Sequence, residues 1–134
     1  MFNNLGYNKK LFILPFDHRS SFIKLFGFTN PELSSKEKEI IYLAKQIIYE
    51  AFKKAISKGV PKEEAAILID EEYGDKIIKD AVAQKYNVIL TTEKSGQKEF
   101  TLEYGDDFGK HIEKYKPAFA KALIHYNPDD DPLS

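Results

Sequence analysis

Four polar clusters stand directly downstream of the four apolar runs of strand length in this chain. Asp17-His18-Arg19 follows LFILPF, Asp70-Glu71-Glu72 follows AAILI, Glu93-Lys94 follows VILTT, and Tyr126-Asn127 follows ALIH. Carboxylates set beside cations are the groups that acid–base chemistry uses, because burial and neighbouring charge move their pKa values apart. The elements that would gather them are βα units, each an apolar strand, a polar residue at its end and then a helix. In folds built this way the functional groups collect where the strands end. The pattern predicts an α/β fold: the N-terminal half of a (β/α)8 TIM barrel, with four parallel strands and intervening helices.

LFILPF (11–16) is continuously apolar, as expected for a parallel strand covered on both faces. Pro15 suits the end of such a strand, where a missing N–H costs least. The segment from Phe22 to Phe28 predicts a helical turn or two. Ser34-Ser35-Lys36-Glu37 then reads as a capping box that opens the longest helix. Along that helix Ile40, Ile41, Leu43, Ala44, Ile47, Ile48, Ala51, Phe52, Ala55 and Ile56 recur at helical spacing, and Gly59 ends it. Pro61 fits the first turn of a brief helix before the second strand, 65–69. Gly74 marks the turn into a third helix, lined by Ile77, Ile78, Ala81 and Val82. The third strand is 88–92. A helix carrying Phe108, His111, Ile112 and Tyr115 follows, Pro117 interrupts it, and 120–126 is the fourth strand. Alternation on that strand turns Lys121, Leu123 and His125 to one face, toward the barrel centre.

Composition narrows the partners. With 20 basic and 21 acidic residues the formal net charge is −1, so nothing draws the chain globally to nucleic acid or to anionic lipid. The absence of cysteine excludes disulfides, thiolate metal sites and a cysteine nucleophile, and suits the cytoplasm. No apolar stretch approaches the roughly 20 residues of a membrane span. The expectation is a cytoplasmic protein, 1–134 forming one half-barrel domain, without nucleic-acid or membrane partners.

PFDHRSSF, LIDEEYGD, TTEKSGQKEF, YGDDFGKHI and KALIHYNPDDD resemble, in that order, successive motifs of the domain carried by the 2-deoxy-5-keto-gluconate 6-phosphate aldolases of inositol catabolism and by their free-standing relatives. The chain is similar, more loosely, to the tagatose-bisphosphate aldolases, which show D-x-R on the first strand, L-D-x-E-Y-G on the second and E-K-x-G on the third. Both are class I aldolases with a (β/α)8 fold. The resemblance implies a lyase acting on a phosphorylated keto sugar. It makes Asp17, Asp70, Glu93 and Lys121 the catalytic set and Arg19, Lys94, Tyr126 and Asn127 the substrate-binding set, and it calls for no cofactor and no metal. His125 stands where the family tends to carry Arg or Tyr. Lys121 matches a lysine pointing into the barrel centre, where its expected role is to orient the rim carboxylates.

Length sets the main departure. A complete barrel takes about 250 residues, against 134 here, and class I aldolases of this kind form their Schiff base on a lysine of a later strand. Three function classes follow: an aldolase-like lyase or its N-terminal half; a non-catalytic half-barrel that binds a sugar phosphate or serves in assembly; and a metal-assisted enzyme built on Asp17, His18, Asp70, Glu93 and His125. In a half-barrel strands one and four are open edges. They predict a homo-oligomer of half-barrels, or a complementary half-barrel chain, unless the sequence is truncated from a longer protein.

Overall fold

LFILPF forms β1 (Phe12–Pro15) and AAILI forms β2 (Ala65–Ile69), while β3 (Asn87–Thr91) and β4 (Phe119–Lys121) follow the later apolar runs in the computed structural model, which describes residues 7–125 and 128–129. The strands make one sheet in the order β1-β2-β3-β4, and every neighbouring pair is parallel. Helices α1 (Ser20–Leu25) and α2 (Ser35–Ser57) connect β1 to β2, α3 (Glu71–Ala83) connects β2 to β3, and α4 (Phe108–Tyr115) connects β3 to β4. A parallel sheet whose spatial order repeats its chain order, with helices in every connection, is the arrangement of half a β/α barrel.

Local signals set the ends of the helices. The Ser34 hydroxyl accepts from the Glu37 amide, and the Glu37 carboxylate takes the Ser34 N–H at 2.7 Å, completing the capping box of α2. Gly59, at φ +113°, releases the chain after this helix in a conformation that β-carbons resist. Asp70 caps α3 by accepting from the Tyr73 amide at 2.8 Å. The third helix therefore begins before Gly74, and this glycine lies inside it. There it allows close approach to β2, since a β-carbon at Gly74 would sit 2.4 Å from Ile69 Cδ1. Lys116, at φ 48°, closes α4 just ahead of Pro117, which disfavours further α geometry in the preceding residue.

The core lies between one face of the sheet and the helices. Ala65, Ile67 and Ile69 of β2 and Val88 and Leu90 of β3 meet Tyr49 and Phe52 of α2 and Ile77, Ile78 and Ala81 of α3. Each fully buried isoleucine there contributes about 1.5–3 kcal/mol relative to an exposed one. The expected stripe of α2 is only partly inside. Ile41, Lys45, Tyr49 and Phe52 are buried, whereas Ile40, Leu43 and Ile47 are 42%, 57% and 71% exposed. A helix lying on a sheet buries one side, and α3 packs beside α2 without covering that second stripe.

The fourth strand is shorter than its expected 120–126. The Thr92 amide donates to the Lys121 carbonyl at 3.0 Å, and then the third-strand segment turns away, with Glu93 bridging antiparallel to Leu102. Ala122 to His125 are left with no ladder to join.

Candidate functional site

Register decides which side chains meet. Thr91 is the partner of Lys121 across β3 and β4, and side chains alternate along each strand, so both stand on the sheet face opposite the helices. Asp17, two residues past Pro15, completes the group. Its Oδ2 accepts from Thr91 Oγ1 at 2.9 Å and from Lys121 Nζ at 3.0 Å. Lys121 Nζ also donates to Glu93 Oε1 at 2.5 Å, so a single ammonium joins the ends of β1, β3 and β4. Arg19 closes the cluster from the other side. Its Nη2 donates to the Glu93 carbonyl at 2.9 Å and lies 3.7 Å from Glu93 Oε1, while its Nη1 is 3.5 Å from Glu103. Asp17, Arg19 and Glu93 are each at least nine-tenths buried, and Lys121 is partly open to a cavity of about 560 Å³ that also touches His18, Ser20 and Ser95.

The electrostatics follow from that packing. Burial alone would raise the Asp17 pKa, but the Lys121 and Thr91 hydrogen bonds and the lysine charge outweigh it and hold the carboxyl below its ordinary 3.8. Burial likewise favours the neutral amine at Lys121, yet its hydrogen bonds to Glu93 and Asp17 keep its pKa above the ordinary lysine value. Lys121 is thus an ammonium at neutral pH, a charge partner rather than a free amine. Glu93 Oε2, by contrast, is buried and has no hydrogen-bond partner. The arrangement presents two buried carboxylates with a partly open cation between them, the groups that hydroxyl binding and acid–base chemistry use.

The other expected site residues are placed differently. Asp70, 1% exposed, is engaged away from this cluster: one oxygen caps α3 and the other takes the ammonium of Lys45. Lys94 is exposed in the loop after β3, where it lines a smaller cavity with Arg19, Glu93 and His125. Tyr126 and Asn127 lie outside the described residues. Among the described residues, no group of three histidine, aspartate or glutamate side chains converges as a metal would need, and no helix is long and apolar enough to cross a membrane.

Sequence reasoning missed Lys45, Thr91 and Glu103. Lys45 had a signal, since it sits four residues after Ile41 and four before Tyr49 on the buried face of α2. Its ammonium, wholly buried, donates to the Phe16 carbonyl at 2.9 Å as well as to Asp70. A second polar group, between α3 and α4, was missed too. Glu71 accepts from Tyr115 at 2.8 Å, from Tyr104 at 3.0 Å and from Lys114, while His111 Nε2 lies 2.8 Å from Glu71 Oε2 without the alignment of a hydrogen bond. Burial lowers the His111 pKa, so its ring is neutral at pH 7.

No curated protein and no solved structure matches the chain. A family model described as an uncharacterized protein conserved in bacteria (DUF2090) matches residues 4–134, and the chain belongs to that family.

Proposed function

We propose that this chain supplies the acid–base and charge-bearing half of a class I aldolase-like lyase site for a phosphorylated keto sugar. The observation that carries the reading is the Lys121 ammonium held between Asp17 and Glu93 at the C-terminal edge of a parallel sheet. The motif resemblance to the 2-deoxy-5-keto-gluconate 6-phosphate aldolases supports it. In this reading Glu93 exchanges a proton with a sugar hydroxyl, and Asp17 holds a second hydroxyl. Lys121 orients both carboxylates, while Arg19 and Lys94 offer positive charge to the phosphate. The Schiff-base lysine would come from a complementary half-barrel, since Lys121 is the only lysine in the strands of the described residues and it is protonated.

Reduction with borohydride in the presence of a ketose phosphate, followed by mass spectrometry, tests the assignment. The expected result is no adduct on Lys121 from this chain alone, and an adduct there would overturn the electrostatic role. With the complementary half present, Asp17→Asn and Glu93→Gln should each lower turnover at least about tenfold. Unchanged turnover in both variants would remove the lyase reading.

The paired state of Lys121 also favours a second reading, a non-catalytic half-barrel that binds a sugar phosphate. Saturable binding in a calorimetric titration with no turnover, in the chain at its native mass, would support this over the first.

A further inference from the structure

Lys45 is the one wholly buried lysine among the described residues, and the lyase reading makes no use of it. It rises from the sheet-facing side of α2 and ends beneath the rim. There its ammonium donates to the Phe16 carbonyl at 2.9 Å and to Asp70 Oδ1, and it lies 5.7 Å from the Phe22 ring centre and 5.9 Å from that of Tyr73. Asp70 is itself fixed, because its second oxygen caps α3 at the Tyr73 amide. One ammonium therefore ties α2, the end of β1 and the start of α3 to a single point. Phe16 is the residue immediately before Asp17, and the Phe16 amide donates to the Leu68 carbonyl at 2.9 Å, so the residue leading into Asp17 is gripped at both of its backbone polar atoms.

A buried lysine is a poor choice for stability alone. Desolvating an ammonium and a carboxylate costs several kcal/mol each, and a well-packed apolar pair in their place is often as stable or more so. What the pair supplies that an apolar pair cannot is a directed bond to a backbone carbonyl.

We infer that Lys45 is a positioning residue for the rim site: by holding the Phe16 carbonyl it fixes the backbone from which Asp17 reaches Lys121 and Thr91. It does not touch the ligand. The inference rests on the reading of Asp17 and Lys121 as a working site, and it concerns the geometry of that site rather than the reaction.

The test needs no turnover. The side-chain carboxyl of Asp17 is titrated by carbon-13 NMR in the full chain and in Lys45→Met/Asp70→Asn. That double variant removes the buried pair without leaving a lone charge and retains an oxygen to cap α3. Because the deleted pair is neutral overall, the direct field of Lys45 at Asp17 is largely offset by that of Asp70, and a change at Asp17 of the expected size reports lost contact with Lys121 and Thr91. The expected result is an upward move of the Asp17 titration by about one unit, the equivalent of one charge-assisted hydrogen bond. A folded double variant whose Asp17 titrates as in the parent would overturn the inference and leave Lys45 a core brace. If the double variant does not fold, Lys45→Gln/Asp70→Asn gives the same readout, again with no lone charge left, since glutamine is one atom shorter and cannot span Phe16 and residue 70. An unchanged Asp17 there would equally overturn it. Loss of turnover in Asp17→Asn bears on the lyase reading alone, so the two failures are separable.

Discussion

Replacing Lys121 with methionine should reverse the pH dependence of stability that the rim contributes. In the parent, Asp17 Oδ2 and Glu93 Oε1 lie 3.0 and 2.5 Å from the same ammonium, and both carboxylates are nearly excluded from water. Without that cation two carboxylate oxygens face each other at no more than about 5.5 Å, the limit those two distances set, a repulsion of about 3 kcal/mol at an effective dielectric near 20. Breaking a buried pair costs about 3–5 kcal/mol. Because the Lys121 side chain is 26% exposed and Arg19 remains near Glu93, a loss of about 2–3 kcal/mol at pH 7 is expected, at or below the lower end of that range. The sign with pH follows from linkage. In the parent the folded pKa of Asp17 lies below its unfolded value, so its contribution is present above about pH 4 and is lost as pH falls through the folded pKa. In Lys121→Met the two carboxylates share a proton and one folded pKa rises above its unfolded value. That group stabilises the fold at low pH and loses its contribution as pH rises through the new pKa. Urea unfolding of both proteins between pH 4.5 and 8 reads this directly: the gap between them should widen with pH. A gap equal at the two ends, or smaller than about 0.5 kcal/mol throughout, would refute the reasoning.

Two glycine-to-alanine changes should have opposite signs. Gly74→Ala places a β-carbon 2.4–2.5 Å from a fully buried Ile69, and overpacking of about 1–3 kcal/mol should exceed the roughly 1 kcal/mol gained in helix propensity, so its Tm falls. Gly109→Ala, in α4 with nothing within 4 Å, should raise stability by about 0.5–1 kcal/mol. Ser34→Ala breaks the capping box of α2 and should cost about 1 kcal/mol by urea unfolding. The open β1, with Phe12 59% and Ile13 47% exposed, should make the chain associate through its edges, and Ile13→Lys should lower the association seen by sedimentation velocity. A parent that stays monomeric and binds ligand at micromolar concentration would count against the half-barrel assembly.

The sequence by itself determined the elements and their order. AAILI is β2 residue for residue, and Ser34 to Glu37 caps α2 as the box required, because both signals depend on near neighbours along the chain. The parallel sheet was also legible, since apolar runs alternating with amphipathic segments have few other ways to bury themselves. Within the rim cluster, Asp17, Arg19 and Glu93 were foreseeable from their places at strand ends and Lys121 from alternation along its strand, and strand register brings them together. Tertiary structure alone decided which carboxylate serves which partner. Asp70 looks like Asp17 in the sequence, but it turns to Lys45 under the sheet. The spacing of Lys45 marked it for the buried face of α2, but its partner was hidden until the carbonyl of Phe16, 29 positions away, was brought within 2.9 Å. The exposed stripe of Ile40, Leu43 and Ile47 is of the same kind, because helical spacing records which residues are apolar and only packing assigns them a neighbour. Short-range hydrogen bonds and periodicity can be read from order along the chain. Pairing between distant charges depends on how the sheet and helices meet, and that is fixed only in three dimensions.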